Sequence, residues 1–298
     1  MPDHRRVAVI GLGSMGFGMA QSLRRAGFEV VGCDVSAGPL HRFREEGGQV
    51  ARTPALAAEG AGVVVSVVVN AAQTEAVLFG SEGAGETLEQ GAVFVSSATM
   101  DPQIARRLGA QLEATGRCYL DAPVSGGAAR AAEGELTVMA SGTAAAFAAA
   151  RPALEAMART VYELGDEAGQ GSAFKMINQL LAGVHIAAAC EATALAAKQG
   201  LDLRKVYEVI TASAGNSWMF ENRVPHILEG DYAPRSAIDI FVKDLGIVQD
   251  MARAERFPAP LAAAALQMYL AAAGAGMGQD DDASLARVYA QLSGAKLP

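Results

Sequence analysis

The feature that most constrains the fold is a glycine-rich turn between a short apolar run and a helical pattern. The turn reads Gly11-Leu12-Gly13-Ser14-Met15-Gly16; residues 7–10 precede it, and an amphipathic pattern that ends at Gly27 follows it. This order predicts a strand, a tight turn and a helix of a parallel βαβ unit. The first glycine permits the turn, the second lets a phosphate approach the backbone, and the third lets helix and strand pack closely.

The acid that ends the next strand-like run strengthens this interpretation. Residues 29–33 form that run, and Asp34 stands 18 residues after Gly16. A carboxylate here can accept both hydroxyls of an adenosine ribose, and the helix N-terminus offers amide donors to a pyrophosphate. The pattern therefore predicts an NAD site formed by the six turn residues and Asp34. A glycine-rich turn without a ligand is the alternative.

Composition favours a soluble globular protein of about two domains. The chain has 298 residues, of which 51% are apolar and 19% charged, and its net charge is −8. An acidic chain predicts no nucleic-acid partner. Three widely spaced cysteines argue against disulfides or a zinc site and suit a reducing cytoplasm. The four histidines show no metal-ligand spacing, so we predict no metal site.

Two stretches imitate targeting or membrane signals. His4, Arg5 and Arg6 precede an apolar run, as in a signal peptide, but the glycine spacing and the helical pattern that follows favour folded structure. Residues 257–279 carry no charge but contain two prolines and are mostly Ala and Gly, which favours a buried helix. We therefore predict a cytoplasmic protein without a membrane span.

Strand-like and helix-like runs alternate as far as residue 164. The predicted strands cover residues 63–69, 93–96, 118–121, 136–140 and 161–164, with the last closing the sheet. This alternation predicts an α/β class with a Rossmann-like doubly wound sheet. Ligands bind such sheets at the carboxyl ends of the strands, where residues 70–73, Thr99 and the segment after Asp121 lie. Thr99 could equally be a simple helix-entry hydroxyl.

The segment after Asp121 offers several hydrogen-bond donors in a short space. Ser125 supplies a hydroxyl, and Gly126 and Gly127 expose backbone N–H groups behind a stiffening Pro123. A concave run of donors suits a carboxylate. A tight turn without a ligand is the alternative.

Residues 165–200 predict one long helix, rich in Ala, Leu and Met and free of proline. Lys175 is the only charged residue between Ala168 and Cys190. A lone lysine on an apolar helix is costly to bury unless something pairs with it or uses it. Asn178 and Gln179 lie one turn further on and can share its face. A lysine whose stem snorkels to water is the alternative.

Five ordered motifs, GLGSMG, SSATMDP, DAPVSGG, GQGSAFKMIN and FVKDL, resemble those of the β-hydroxyacid dehydrogenase family. The resemblance implies an NAD-binding Rossmann-like domain over 1–165. It also implies an all-helical C-terminal domain over 166–298 that starts with a long interdomain helix. The Ala-rich C-terminal helices suggest apolar interfaces between subunits, so we expect a homo-dimer or homo-tetramer.

The resemblance also implies roles for residues on both sides of the site. Lys175 would be the catalytic acid–base residue, and the substrate carboxylate would be held by Ser125, Gly126 and Gly127. Asn178 and Gln179 would face the substrate, although the family usually has Asn where Gln179 stands. The remaining matches would contact the cofactor: Val68, Val69, Gln73, Thr99 and Lys243.

Within the family, residues 215–223 and the DIFVKDLGIV segment resemble the branch whose substrates are four-carbon sugar acids. We therefore expect NAD-dependent oxidation of a small hydroxy acid. The alternatives are oxidation of 3-hydroxyisobutyrate, reduction of tartronate or succinic semialdehyde, and a non-catalytic dinucleotide-binding module. Residues 218–223 are predicted as a loop near the pocket, or else a helix–helix turn with core aromatics. Residues 280–282 are predicted as a solvated acidic turn without metal.

Overall fold

The computed structural model describes residues 3–298, with side chains from residue 5 onward. Met1 and Pro2 of the predicted N-terminal domain, and the side chain of His4, lie outside the described residues. The chain divides into two compact units, Met1–Lys175 and Met176–Pro298.

A sheet of six parallel strands forms the centre of the first unit in the described chain. Its strands are β1 (Asp3–Ile10), β2 (Glu29–Cys33), β3 (Gln49–Ala51), β4 (Ala61–Ser66), β5 (Val93–Ser96) and β6 (Cys118–Asp121). The spatial order β3-β2-β1-β4-β5-β6 is that of the doubly wound dinucleotide-binding fold, so the predicted class is confirmed. The three-residue β3 was not predicted, because it is too short to show a periodic pattern.

Helices cover both faces of this sheet. They are α1 (Ser14–Arg25), α2 (Ala37–Glu45), α3 (Pro54–Ala58), α4 (Ala71–Phe79), α5 (Pro102–Glu113) and α7 (Ala144–Met157), while the short α6 (Gly127–Glu133) packs on α1. Side chains placed just before three of them set where they start, because each accepts a first-turn N–H: Thr53, Asn70 and Asp101.

Alternate residues of each strand pack into separate cores. Val7 and Val63 lie in a core with Leu23 of α1, and Val64 lies in another with Leu108 of α5. All five side chains are at most 1% exposed. Burial on both faces explains why these strands are continuous apolar runs.

A second sheet, separate from the first, follows β6. Its strands are β7 (Val124–Ser125), β8 (Leu136–Ala140) and β9 (Ala158–Glu163). β7 pairs antiparallel and β9 parallel with β8. The prediction that residues 161–164 close the main sheet is therefore wrong. The chain reverses after β6, and Asp121 and Ser141 exchange two antiparallel backbone hydrogen bonds there.

The second unit is helical throughout its described residues, as predicted. α8 (Gln170–Lys198) begins in the first unit, and α9 (Leu203–Thr211), α10 (Trp218–Glu229), α11 (Ile238–Ala254), α12 (Pro260–Ala272) and α13 (Leu285–Ser293) follow. The rings of Phe241 and Tyr269 stack in the core with centroids 5.3 Å apart. The Tyr269 hydroxyl donates to the Gly183 carbonyl at 3.1 Å, which satisfies this buried group.

Two aspartates predicted to be solvated are instead buried in the second unit. Asp282 is paired with Arg223, and Asp281 Oδ1 lies 2.9 Å from Nδ1 of His226; neither carboxylate side chain is exposed. The prediction of a solvated acidic turn is wrong, since buried carboxylates persist where cations and N–H groups compensate them. The predicted loop over residues 218–223 is also wrong, because these residues form the first turns of α10.

The Asp281 pair makes the stability of the protein depend on pH. Burial raises the pKa of Asp281, but hydrogen bonds from His226 and from the amides of Arg235 and Ala283 lower it more, so the net pKa is below its usual range. A depressed carboxyl pKa stabilises the fold above the unfolded-state pKa of about 3.9, and this stabilisation is lost as pH falls through the folded-state pKa.

We therefore expect the stability gap between the native protein and Asp281→Asn to be constant near neutral pH and to shrink in acid. Urea unfolding of both proteins from about pH 7 to about pH 3 measures this gap. Asp250→Asn, which removes an exposed carboxylate on α11, is the control. A gap that persists unchanged below the folded-state pKa would contradict the interpretation.

By length and composition alone, two described helical stretches are apolar enough to cross a membrane, Gln170–Lys198 and Pro260–Met277. Core helices of globular proteins pass the same test. α12 is less buried than predicted: Ala262 and Tyr269 are in the core, but Leu261 is 70% exposed.

Candidate active site

The glycine-rich turn is shaped by close backbone contacts. A Cβ on Gly11, whose φ is +95°, would lie 2.4 Å from the Val67 carbonyl oxygen, and a Cβ on Gly16 would lie 1.9 Å from the carbonyl oxygen of Gly11. Gly13 has nothing within 4 Å of its Cβ position. The first and third glycines thus allow packing, and the second leaves open space beside the N-terminus of α1. These residues fit the pyrophosphate of a dinucleotide.

Asp34 is held in place at the end of β2. Its Oδ2 accepts the Leu12 N–H at 2.6 Å and its Oδ1 accepts the Ser36 N–H at 2.7 Å. A cavity of about 570 Å³ adjoins the turn and is lined in part by Gly13, Ser14 and Arg42. The carboxylate keeps further lone pairs for ribose hydroxyls.

Cys33, immediately before Asp34, is not a nucleophile of this site. Burial, with a smaller contribution from the Asp34 charge, raises the pKa of its thiol to about 11. The reactive thiolate is therefore scarce at neutral pH.

The segment after β4 packs against the glycine-rich turn. Val68 Cγ1 lies 3.6 Å from the Cβ position of Gly11, and Val69, which is 54% exposed, donates its N–H to Gln73 Oε1 at 2.8 Å. Gln73 belongs to the first turn of α4 rather than to a loop. Thr99 is partly buried between β5 and α5, at the same edge of the sheet.

We expect Asp34→Ala to weaken NAD binding and to narrow the preference for NAD over NADP. The carboxylate that holds ribose hydroxyls would also repel a 2′-phosphate, since both are anionic in one small site. Apparent KM values for both cofactors measure the effect. Glu29→Ala, which changes an exposed ion pair at the other end of β2, is the control. Faster turnover of the native protein with NADP at low concentration would contradict this role of Asp34.

The proposed carboxylate loop lies between β7 of the second sheet and α6. Ser125 ends β7 opposite Thr137, and Gly126 and Gly127 follow with φ of +142° and +78°. Gly127 has nothing within 4 Å of its Cβ position, so its backbone faces open space. All three residues are at least partly accessible.

Lys175 lies near the start of α8 and is only 7% exposed, whereas Phe174 beside it is 54% exposed. The predicted alternative of a lysine that snorkels into solvent does not fit this burial. A buried ammonium needs compensating partners or a function.

In the second unit, Asp244 connects two predicted residues, Gln179 and Lys243. Gln179 Nε2 donates to Asp244 Oδ2 at 2.5 Å, and Gln179 Oε1 accepts from Asn178 Nδ2 at 3.0 Å. Lys243 forms an ion pair with the other oxygen of Asp244, which is buried. The extra methylene of Gln, relative to the usual Asn, extends the reach of this amide.

We expect Lys243→Ala to raise the apparent KM for NAD more than that for substrate, because the resemblance of the FVKDL motif implies a position for this lysine beside the cofactor. Lys205→Ala is the control, since it removes an ammonium from an exposed ion pair in the same unit that contributes about 0–1 kcal/mol. Steady-state kinetics with each substrate varied in turn measure the effect. Unchanged cofactor kinetics would make Lys243 a structural ion-pair partner.

Sequence reasoning missed Asp121 and Ser172, whose roles depend on contacts between distant segments. It offered an exposed salt bridge of Lys243 with Asp239 or Asp244 as the alternative to a cofactor role; the structure pairs Lys243 with Asp244, but that aspartate is buried. Asp121 is fully buried and bonded to Ser172, 51 residues later. The signal was present in part, because charged residues inside apolar runs are buried only with partners. Among the described residues, no group of three His, Cys, Asp or Glu side chains could hold a metal ion.

The doubly wound sheet, the glycine-rich turn and the anchored Asp34 define a dinucleotide-binding protein of the oxidoreductase class. A family model for the NAD-binding domain of 6-phosphogluconate dehydrogenase matches residues 6–165. A second model, for the NAD-binding region of NADP-dependent 3-hydroxyisobutyrate dehydrogenase, matches residues 169–289. The chain belongs to the β-hydroxyacid dehydrogenase family of NAD-dependent enzymes, as its motifs predicted.

Relatives cover nearly the whole chain. L-threonate dehydrogenase of Cupriavidus necator is 56% identical over 96% of this chain and 96% of its own. The crystal structure of 3-hydroxyisobutyrate dehydrogenase from Salmonella typhimurium is 49% identical, with a TM-score of 0.91 over 95% of this chain and 99% of its own. The 3-hydroxyisobutyrate dehydrogenase of Mycobacterium tuberculosis with L-serine is 30% identical, with a TM-score of 0.82 over 95% of this chain and 98% of its own.

Proposed function

We propose that the protein oxidises a four-carbon sugar acid, L-threonate, to its 2-oxo acid with NAD. The observation that carries this proposal is the 56% identity to an L-threonate dehydrogenase over 96% of both chains. Three further relatives of that name, from Escherichia coli and other bacteria, are 48–49% identical.

Lys175 is the proposed acid–base residue. The carbinol C–H bond breaks with both electrons, and its O–H bond loses a proton as the C=O bond forms. A neutral Lys175 amine takes this proton, and its ammonium returns the proton in the reverse direction. NAD supplies the hydride acceptor when it is bound by the glycine-rich turn and Asp34.

Substrate orientation is assigned to two groups of residues. Ser125 and the N–H groups of Gly126 and Gly127 hold the carboxylate. The amides of Asn178 and Gln179 bind hydroxyls of the sugar acid, and Asp244 fixes the direction of the Gln179 amide. Lys243, with Val68, Val69, Gln73 and Thr99, is assigned to the cofactor.

A second candidate is oxidation of 3-hydroxyisobutyrate or reduction of a small semialdehyde. It is favoured by the name of the solved Salmonella typhimurium relative, which is 49% identical. The two candidates differ in the carbon that is oxidised, which is next to the carboxylate in one and one carbon further in the other.

A substrate panel separates the candidates. Absorbance of reduced nicotinamide should rise with L-threonate and NAD, and much less with D-threonate, 3-hydroxyisobutyrate or L-serine. A higher kcat/KM for 3-hydroxyisobutyrate than for L-threonate would favour the second candidate. Lys175→Ala in the same panel shows whether any turnover depends on the proposed residue.

The predicted organisation is retained as a proposal. The family models divide between residues 165 and 169, which supports domains over 1–165 and 166–298.

A homo-dimer or homo-tetramer is supported by exposed apolar side chains along α8: Ile177, Leu181 and Leu195, each 49–59% exposed. A cytoplasmic location is supported by the three cysteines, which are all free thiols, as is usual in a reducing compartment.

A further inference from the structure

The N-terminus of α8 has no capping side chain of its own, because Gly169 precedes its first residue. First-turn amides have no partner within a helix and need acceptors from elsewhere. Here the acceptor is a side chain of β6. Gly169 N–H and Ser172 N–H both donate to Asp121 Oδ2, at 2.9 and 2.8 Å.

Asp121 uses its other oxygen as well. The Ser172 hydroxyl donates to Asp121 Oδ1 at 2.7 Å, and the carboxylate is fully buried. A carboxylate at a helix N-terminus is favoured by the helix dipole, and a buried one holds its partners in a defined geometry. Asp121 thus fixes the first turn of α8 to the end of β6.

Gly171 brings this turn directly onto strand backbone. Its Cβ position lies 2.3 Å from the carbonyl oxygen of Met139 and 2.8 Å from that of Asp121. Its N–H donates to Ser141 Oγ at 2.9 Å. Any side chain at this position would lift the turn away from the two strands.

The same aspartate therefore stands between two proposed parts of the site. Its main chain leads after four residues to Ser125, and its side chain holds Ser172, which precedes Lys175 by one helical turn. We propose that Asp121 is a positioning residue that sets Lys175 relative to the carboxylate-binding loop. The inference rests on the proposed roles of Lys175 and Ser125–Gly127.

The Asp121 hydrogen bonds to the first turn of α8, together with the close packing of Gly171, form a clamp. The test changes this clamp without substituting Lys175 or the carboxylate-binding loop. Asp121→Ala removes the hydrogen bonds from Gly169 and Ser172 and that with Ser141, and Gly171→Ala displaces the turn without removing any polar group. We expect each to lower kcat by about 10- to 100-fold, the cost of misplacing a reacting group by about 1 Å. Asp121→Asn should lower kcat less than Asp121→Ala does. The asparagine carbonyl oxygen can still accept the two backbone N–H groups, and its NH₂ group can donate to Ser172 Oγ.

A control glycine is available in the same helix. The three atoms nearest to a Cβ on Gly183 belong to the flexible side chain of Leu245, at 3.0–3.1 Å, and this side chain can adjust. Gly183→Ala should therefore keep its kcat. If Asp121→Ala does not fold, Gly171→Ala and Ser172→Ala provide the same test.

Two readouts separate positioning from a merely structural role. NADH binding, followed by its fluorescence, should be unchanged in the folded variants although kcat falls. In a Lys175→Ala background, Gly171→Ala and Asp121→Ala should lower kcat little further, because the amine that the clamp positions is already absent.

The outcomes that overturn the inference are distinct from those that overturn the proposed function. Unchanged kcat in the clamp variants, parallel loss of NADH binding, or full losses that persist in the Lys175→Ala background would each overturn the inference alone. Near-native turnover of Lys175→Ala itself would overturn the proposed mechanism and, with it, this inference.

Discussion

Turnover by Lys175→Ala is expected to fall by about 10² to 10⁴, the usual scale for the loss of a general acid–base group. The variant should still bind NAD, because the glycine-rich turn and Asp34 are untouched. It should also stay folded, with a change in the free energy of unfolding of about 1 kcal/mol or less. Steady-state rates, NADH fluorescence and thermal melts of one preparation measure all three.

Lys175→Arg should restore little activity, because a guanidinium cannot release its proton near neutral pH. In the oxidising direction the native rate should rise with pH as Lys175 loses its proton, and this dependence should be absent from the residual rate of Lys175→Ala. Lys198→Ala, at the exposed other end of α8, is the matched control. Near-native turnover of Lys175→Ala, or its failure to fold, would make Lys175 a structural lysine.

Arg223→Ala should lower the free energy of unfolding by about 3–5 kcal/mol, because it leaves a buried carboxylate without its cation. Asp282 is fully buried and bound by two nitrogens of Arg223, one of them at 3.0 Å. Burial raises the pKa of Asp282, and Arg223 opposes this rise. The variant must therefore bury either an unpaired carboxylate or a protonated, neutral carboxyl group.

Urea unfolding of Arg223→Ala and of a control, Arg235→Ala, measures this cost. Arg235 belongs to an exposed pair with Asp231, and such pairs contribute about 0–1 kcal/mol. Replacing both partners, in Arg223→Met with Asp282→Leu, should recover much of the loss, because buried pairs are costly to break and cheaper to replace. Equal losses in the two single variants would show that the buried pair contributes no more than an exposed one.

The local pattern of the chain determined the class of fold and most of its elements. Continuous β-branched runs predicted β4 and β5, because strands buried on both faces have no polar face to display. Thr53-Pro54 and Asp101-Pro102 mark the starts of α3 and α5, because a cap and a proline act within one helical turn. The glycine-rich turn and Asp34 predicted the nucleotide site for the same reason: their function depends on nearby backbone.

Only the tertiary structure decided which polar residues are buried and with what partners. Asp282 follows two other aspartates and has the pattern of a solvated turn, but Arg223, 59 residues away, makes its burial possible. Gln179 donates a hydrogen bond to Asp244, which is 65 residues away in the sequence, and Asp121 accepts one from Ser172, which is 51 residues away. A buried charge is stable only beside its partner, and that partner is set by how distant segments pack rather than by the residues next to it in the chain.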